Sequence, residues 1–110
     1  MVIYNNFFED NQIIIGQNAV ENDFIINQGK QTDIWFHLAN LPSCHIIISC
    51  DKKYPITKQM INYCALLVKE HTKYKNIKKV SVNYTELKNV KRTEIPGKVI
   101  IKGKMKTIVI

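Results

Sequence analysis

The chain has 110 residues, of which 45% are hydrophobic and 23% are charged, and its formal net charge is +7. This length fits a single domain, over residues 1–110, that buries a core without disulfides or metal ions. No run approaches the roughly 18 consecutive apolar residues of a membrane span, and no N-terminal signal peptide is evident, so we expect a cytoplasmic protein with no membrane partner.

Two apolar segments at the start of the chain predict an opening hairpin. Residues 2–8 and 12–15 are rich in β-branched and aromatic side chains, and the polar residues between them are typical of a turn. Two further segments, residues 34–38 and 45–50, have the same character and are joined by a turn that contains Pro42. We expect four strands from this part of the chain.

A short helix is predicted between these two pairs of strands, over residues 18–28. Asn18 and Glu21 have the spacing of a capping box, in which two side chains bind the free backbone N–H groups at the start of a helix. Val20 and Phe24 are four residues apart and therefore share one face of this helix.

A longer helix over residues 57–73 is the strongest prediction in the second half. Six residues form one continuous stripe at helical spacing, and we expect this stripe to pack on the sheet. An aspartate in place of Met60 should then unfold the domain, because an unpaired carboxylate would be buried. The stripe consists of Ile56, Met60, Tyr63, Cys64, Leu67 and His71.

Three strands are predicted after this helix, over residues 80–84, 98–102 and 106–110. The last two flank Gly103 and are expected to pair as a closing hairpin. Strands and helices do not alternate regularly, so we predict an α+β fold with a mostly antiparallel sheet, one long helix and one short helix.

The positive charge is concentrated in the second half of the chain. Residues 1–51 have a net charge of −5, whereas residues 52–110 have a net charge of +12. Such an excess creates a positive field where lysines share a face, and phosphate backbones are natural partners. A lysine-coated surface without a specific partner is the alternative on charge alone.

The segment Asp33-Ile34-Trp35-Phe36-His37 concentrates side chains that could recognise a ligand. On a strand, Asp33, Trp35 and His37 project to one face, and the following turn brings His45 back towards them. An indole can stack on a base, while imidazole and carboxylate groups can bind base edges or a ribose hydroxyl. In the alternative, Trp35 closes a second small core with its polar neighbours hydrogen-bonded beside it.

No motif indicates catalysis, a metal ion or a cofactor. His37 with Ser43 or Cys44 could be drawn as base and nucleophile, but the chain has no nucleophile turn, Gly-rich phosphate loop or HExxH motif. The three cysteines are odd in number and favour free thiols. A zinc site at Cys44, His45 and Cys50 is an alternative that lacks a second ligand pair. We predict a protein that is not an enzyme.

Several stretches resemble the NFACT-R domain, and the resemblance spans nearly the whole chain. The D-x-W-F-H stretch is its most specific motif. Two positions depart from the family pattern: Gln17 replaces a residue that is often basic, and Ser43-Cys44 replaces a common Gly-Ser. The matching stretches are Ile15-Gly16-Gln17-Asn18-Ala19, Glu21-Asn22-Asp23, Asp33-Ile34-Trp35-Phe36-His37, Pro42–His45, Val82-Asn83-Tyr84-Thr85, Asn89-Val90-Lys91-Arg92 and Pro96-Gly97-Lys98-Val99.

The resemblance implies a nucleic-acid-binding module, with tRNA or ribosomal RNA as partner, in translation or ribosome quality control. The ribosome is a further candidate partner, and the oligomeric state is not predicted. The alternatives are a non-catalytic adaptor that binds proteins on the ribosome and a DNA-binding or sensing domain. The predicted nucleic-acid-binding residues are Asp33, Trp35, His37, His45, Lys88, Lys91 and Arg92.

Overall fold

A computed structural model describes residues 1–110 as eight β-strands and two α-helices. The predicted α+β fold class is confirmed. In chain order the elements are β1 (Ile3–Asn5), β2 (Ile13–Gly16), α1 (Ala19–Gln28), β3 (Ile34–Leu38), β4 (His45–Ile48), α2 (Lys58–Glu70), β5 (Ser81–Glu86), a short 3-10 helix (Leu87–Asn89), β6 (Val90–Arg92), β7 (Val99–Ile101) and β8 (Lys106–Val109).

Six strands form one antiparallel sheet in the order β1-β2-β4-β3-β5-β8, and β6 and β7 form a separate two-stranded hairpin. Both faces of the large sheet are covered. The helix α2 packs on one face, while α1 and the small hairpin pack on the other. No helix in the structure has the length and apolar character that crossing a membrane requires.

The larger core lies between the sheet and α2. Phe36, Ile46 and Ile48 point from β3 and β4 to this face and are fully buried. The helix α2 begins after Thr57, whose hydroxyl accepts a hydrogen bond from the Met60 N–H. It ends at Glu70, three residues before the predicted end.

The buried stripe of α2 is rotated relative to the prediction. Cys64, Ala65 and Val68 are fully buried, whereas Met60 is only half-buried and His71 is exposed. The small side chains of Cys64 and Ala65 let the helix approach the sheet closely. The larger side chains on either side of them therefore cover the margins of the core rather than its centre.

The second core lies under α1. The predicted cap is present, because the Asn18 side chain accepts the Glu21 N–H at 2.9 Å and the Glu21 carboxylate accepts the Gln17 N–H at 3.0 Å. The shared face of Val20 and Phe24 points to solvent, with Val20 71% exposed. The helix instead buries Asn22, Ile25 and Ile26, since this stripe, at helical spacing, is the one that meets the sheet.

The predicted closing hairpin is wrong. The strand β7 pairs with β6, a strand that the sequence did not predict, and β8 pairs with β5 at the edge of the large sheet. Between them the chain passes through Gly103, which has a positive φ of 103°. The chain does not form a simple hairpin at this turn, because the turn is bonded to other segments. The Lys102 N–H donates to the Asn89 carbonyl, and the Thr85 hydroxyl donates to the Lys104 carbonyl.

Candidate nucleic-acid interface

Three ring side chains from β3 and β4 form a cluster on the α1 face of the sheet. The Trp35 indole N–H donates a hydrogen bond to His45 Nδ1 at 3.1 Å. The His37 ring lies parallel to the indole, with centroids 5.7 Å apart, and edge-on to the His45 ring at 4.8 Å. The structure therefore brings together three of the residues that the sequence placed at a recognition site.

The hydrogen bond from Trp35 fixes the tautomer of His45. An indole N–H can only donate, so His45 Nδ1 accepts and the proton of the neutral ring resides on Nε2. Burial, reinforced by the neighbouring His37, lowers the pKa of His45 to about 3, so the ring stays neutral at physiological pH. The residue is only 2% exposed. Its Nε2–H has no hydrogen-bond partner within the chain and is left as a donor.

His37 presents the opposite hydrogen-bonding character. Its Nδ1 lies 2.6 Å from the Leu38 carbonyl, which can only accept, so Nδ1 carries the proton. Burial lowers the pKa of His37, and the neutral ring leaves Nε2 as an acceptor. One histidine therefore carries a fixed donor, and its neighbour carries a fixed acceptor.

Both rings line a groove of 310 Å³ at the N-terminus of α1, which we call the histidine groove. Asn22 is buried and uses its side-chain oxygen to accept the His45 N–H at 3.2 Å, which leaves its amide NH₂ as a further donor. Gly97 has a φ of 80°, and a Cβ there would lie 2.9 Å from Ala19, so the loop touches the helix closely. The residues that define the groove are Asn18, Asn22, His37, Ser43, His45 and Lys98.

Asn22 and Lys98 were not predicted as site residues. Each lies in a stretch that resembles the NFACT-R domain. For Asn22 one further signal was available, since it precedes Ile25 and Ile26 at helical spacing and is therefore a polar residue on an otherwise apolar stripe. Lys98 carried no signal beyond its charge, because only the fold brings its loop to the start of α1.

Asp33 lies at the opposite end of β3 from the histidine groove. Four residues along a strand separate it from His37, a distance of about 13 Å. Its carboxylate is buried and accepts the Lys30 N–H at 2.8 Å and the Cys50 N–H at 3.1 Å. Because both oxygens hold loop backbone, we assign Asp33 a structural role and not a contact with a base.

The predicted basic residues line a separate hollow of 220 Å³ beside the C-terminal half of α1. Arg92 pairs with Asp23 at 2.9 Å, and Lys88 pairs with Glu86 at 3.6 Å. Lys91 is exposed and has no acidic partner. The lysine that the fold places in the histidine groove is Lys98, so the positive surface extends along the hairpin from Lys88 to Lys98.

The side chains considered above as nucleophiles or zinc ligands have the following surroundings in the structure. Burial raises the pKa of the Cys44 thiol to about 12, and Cys44 faces the α2 core, on the other side of the sheet from His45. The Ser43 hydroxyl donates to the Cys44 carbonyl and accepts the Leu38 N–H. No group of three or more metal-ligating side chains is close enough to hold an ion, so the alternative site that includes Cys50 does not form.

The burial of His45 predicts a fall in stability as the solution is acidified. The pKa of His45 is about 3 in the folded state and about 6.5 in an unfolded chain. Below pH 6.5, His45 therefore binds a proton in the unfolded state but stays unprotonated in the folded state. The free energy of unfolding should be unaffected above pH 6.5 and should decrease below it by about 1.4 kcal/mol per pH unit. His37, whose pKa is also lowered, adds to this fall.

Urea unfolding at pH 7, 6 and 5 measures this effect. The exposed His71 provides the control, since His71→Gln should leave the fall unchanged whereas His45→Gln should reduce it. A free energy of unfolding that stays constant from pH 7 to pH 5 would contradict the assigned burial of His45.

The chain matches a known domain family over almost its full length. The family model described as "NFACT protein RNA binding domain" matches residues 1–107. Coiled-coil domain-containing protein 25 of Bos taurus is 34% identical over 85 aligned residues, and the alignment covers 74% of this chain and 41% of that protein. The Rqc2 homolog RqcH of Bacillus subtilis (strain 168) is 27% identical over 81 residues, which are 73% of this chain and 14% of that protein.

A solved structure has the same fold. The C-terminal part of the fibronectin/fibrinogen-binding protein from Streptococcus suis superposes with a TM-score of 0.84 over 97% of this chain and 43% of that chain, at 24% identity. The chain thus spans less than half the length of each of these relatives. Since the family model covers all but the last three residues, the chain belongs to the NFACT protein RNA binding domain family.

Proposed function

We propose that this chain is a non-catalytic RNA-binding module and that the histidine groove recognises the ribose and base of a bound nucleotide. Membership of an RNA-binding domain family and the net charge of +12 on residues 52–110 support RNA as the partner. The observation that carries the proposal is the pair of fixed nitrogens, a donor on His45 and an acceptor on His37, in one groove.

This pair of nitrogens matches the ribose 2′-hydroxyl. That hydroxyl is both a donor and an acceptor, and it is the group that distinguishes RNA from DNA. His45 Nε2–H can donate to its oxygen while His37 Nε2 accepts its proton. A site of this kind favours RNA over DNA of the same sequence, which argues against the DNA-binding alternative.

In this proposal, Lys98 binds the phosphate in the histidine groove. The start of α1 would ordinarily attract an anion, but the Glu21 carboxylate already occupies it. Gln17, which stands where the family often has a basic residue, is uncharged and donates to the Met1 carbonyl at 2.7 Å. Lys91, together with Lys88 and Arg92, extends this positive surface along the hairpin.

Trp35 is not a contact residue in this proposal. It is 3% exposed and packs with Ile47 and Val90 in the second core, so its ring has no free face on which a base could stack. Its part is to orient His45. Of the predicted site residues, His37, His45 and the basic residues remain as contacts.

Replacement of His37 by alanine tests the groove. Loss of one neutral hydrogen bond should weaken RNA binding by about 2- to 10-fold while binding of DNA of the same sequence stays unchanged. The salt dependence of RNA binding should be retained in this variant, because no charge is removed. Lys98→Ala is the complementary variant and should flatten that dependence by about 0.7 in slope on single strands.

Fluorescence anisotropy with matched RNA and DNA oligonucleotides, each measured over a salt series, gives these values. Thermal melting of each variant controls for folding. An unchanged preference for RNA in His37→Ala would show that the histidine groove does not read the ribose.

We further propose that tRNA or ribosomal RNA is the natural ligand, in translation or ribosome quality control. The support comes from the family and from the similarity to the Rqc2 homolog RqcH. Crosslinking in cells followed by sequencing of the bound RNA tests this proposal. Enrichment of tRNA or ribosomal RNA that decreases in His37→Ala supports it, while recovery of protein partners alone favours an adaptor.

A further inference from the structure

We infer that the α2 face of the sheet carries a second binding groove, which takes a single-stranded stretch of the RNA. It lies on the other side of the sheet from the histidine groove. Two adjoining hollows, of 480 and 170 Å³, share Ile61 and Tyr84 in their walls and together form this groove, which we call the lysine groove. The inference rests on the proposed function for the identity of the ligand but uses different residues, with Lys88 as the one exception.

The lysine groove exists because α2 covers only part of its face of the sheet. The helix packs on β3 and β4, so Val82 is fully buried near the centre while Tyr84 and Ile108 remain half-buried towards the edge strand β8. Tyr84 pairs with Phe36 on one side and Lys106 on the other, which places all three side chains on this face.

Tyr84 is the aromatic side chain that lines the lysine groove. Its ring stacks beside Phe36 with centroids 5.6 Å apart and planes 22° apart, and it is half-buried. The ring packs at the edge of the larger core, while its hydroxyl makes no hydrogen bond within the chain. Aliphatic side chains of Ile34, Ile56 and Ile61 surround it.

Lysines form the walls of the groove. Four of them, Lys58, Lys88, Lys104 and Lys106, line it, against a single acidic residue. That residue is Glu86, which pairs with Lys88 at 3.6 Å, so the other three lysines are free of acidic partners.

The loop that carries Lys104 is fixed in place. The Lys104 carbonyl accepts the Thr85 hydroxyl at 2.9 Å, and the Asn89 amide donates to the same hydroxyl at 2.9 Å. Gly103 lies against Asn89, since a Cβ there would be 2.9 Å from the Asn89 side-chain oxygen. The backbone from which the Lys104 side chain extends is therefore held beside the groove.

This combination favours a single strand over other anionic partners. Grooves that bind single-stranded nucleic acid place aromatic rings among cationic side chains, so that bases stack while the backbone is neutralised. A duplex keeps the faces of its bases within its own stack and cannot use Tyr84. An acidic peptide would bind the lysines but would offer no base to stack on the Tyr84 ring.

The test uses the whole chain and a fluorescent 12-nucleotide oligouridine, with anisotropy measured over a salt series. Lys104→Ala with Lys106→Ala should lower the slope of log affinity against log salt by about 1.4, which is about 0.7 for each phosphate that is no longer neutralised. The matched control is Lys78→Ala with Lys79→Ala. It removes the same charge from two exposed lysines outside both grooves and should leave the slope nearly unchanged.

Tyr84 provides the second arm of the test. Tyr84→Leu should weaken binding by about 5- to 150-fold, corresponding to about 1–3 kcal/mol of base stacking, while Tyr84→Phe should bind like the unmodified chain. Ultraviolet crosslinking of oligouridine to the unmodified chain, with the site located by mass spectrometry, needs no variant. A crosslink on the peptide that contains Tyr84 supports the inference.

The inference is overturned if the two double-lysine variants have equal slopes, if crosslinks fall only outside the lysine groove, or if polyglutamate of equal charge displaces oligouridine as well as unlabelled oligouridine does. In those cases a loss of affinity in His37→Ala would still leave the proposed function standing. Failure of the unmodified chain to bind any RNA would instead overturn both.

Discussion

An aspartate in place of Val68 is expected to unfold the domain at room temperature. Val68 is fully buried on α2 against the larger core, where a carboxylate would find neither water nor a hydrogen-bond donor. Burial of an unpaired polar group of this kind costs more than about 4–5 kcal/mol. A domain is typically stable by only about 5–15 kcal/mol, so most or all of its stability would be lost.

Leu66→Asp is the matched control for this prediction. Leu66 lies on the same helix two residues earlier and is 49% exposed, so its carboxylate would be solvated and the fold retained. Met60→Asp should lower the stability of the fold less than the helical spacing alone predicted, because Met60 is half-buried and an aspartate there can reach water. Far-UV circular dichroism with thermal melting measures all three variants. A melting temperature for Val68→Asp close to that of Leu66→Asp would refute the packing of α2.

Truncation of Trp35 to alanine should lower the free energy of unfolding by about 3–5 kcal/mol, the range for large aromatic residues in cores. The indole is 3% exposed and is the largest side chain of the second core, so alanine would leave a cavity among Ile25, Ile47 and Leu87. The folded fraction of the variant should still bind RNA, with lower affinity only to the extent that His45 is misoriented.

Trp35→Phe separates packing from hydrogen bonding. Phenylalanine fills much of the same volume but leaves His45 Nδ1 without its donor, which should cost about 1–3 kcal/mol. Urea unfolding measures the stability of both variants, and anisotropy under folding conditions measures their affinity. If Trp35→Ala is as stable as the unmodified chain and yet loses RNA binding, the indole contacts RNA directly.

The outcome at Trp35 shows how far sequence patterns reach in this fold. Alternation along β3 correctly placed Phe36 and Leu38 in the core, but for Trp35 and Asp33 it left open whether they meet a ligand or belong to a second small core, which is where the structure places Trp35. When elements pack on both faces of a sheet, odd and even positions of a strand are both buried. The sequence of one strand does not indicate whether its second face is also covered. The most specific motif therefore predicted a candidate site without indicating that Trp35 and Asp33 are buried.

The C-terminal half was harder to predict for a different reason. The strand β6 has three residues, of which only Val90 is buried, so it carries no alternation that could be detected. Without β6, the strand at Val99–Ile101 had no apparent partner other than its neighbour in sequence. Lys98 was missed as a consequence, because its position beside His37 and His45 depends on the hairpin folding back along α1.

The hydrogen bonds that hold His37 and His45 have a consequence for how the protein responds to its surroundings. Each ring has one nitrogen engaged by the protein and a lowered pKa, so both histidines meet a ligand in their uncharged forms. Under the proposed function, a complex formed in the histidine groove near neutral pH takes up no proton from the buffer, and its heat of formation is the same in buffers of different ionisation enthalpy. Histidines often act as acidity sensors, but in that complex both would keep one charge state, so ionic strength would be the variable that tunes affinity.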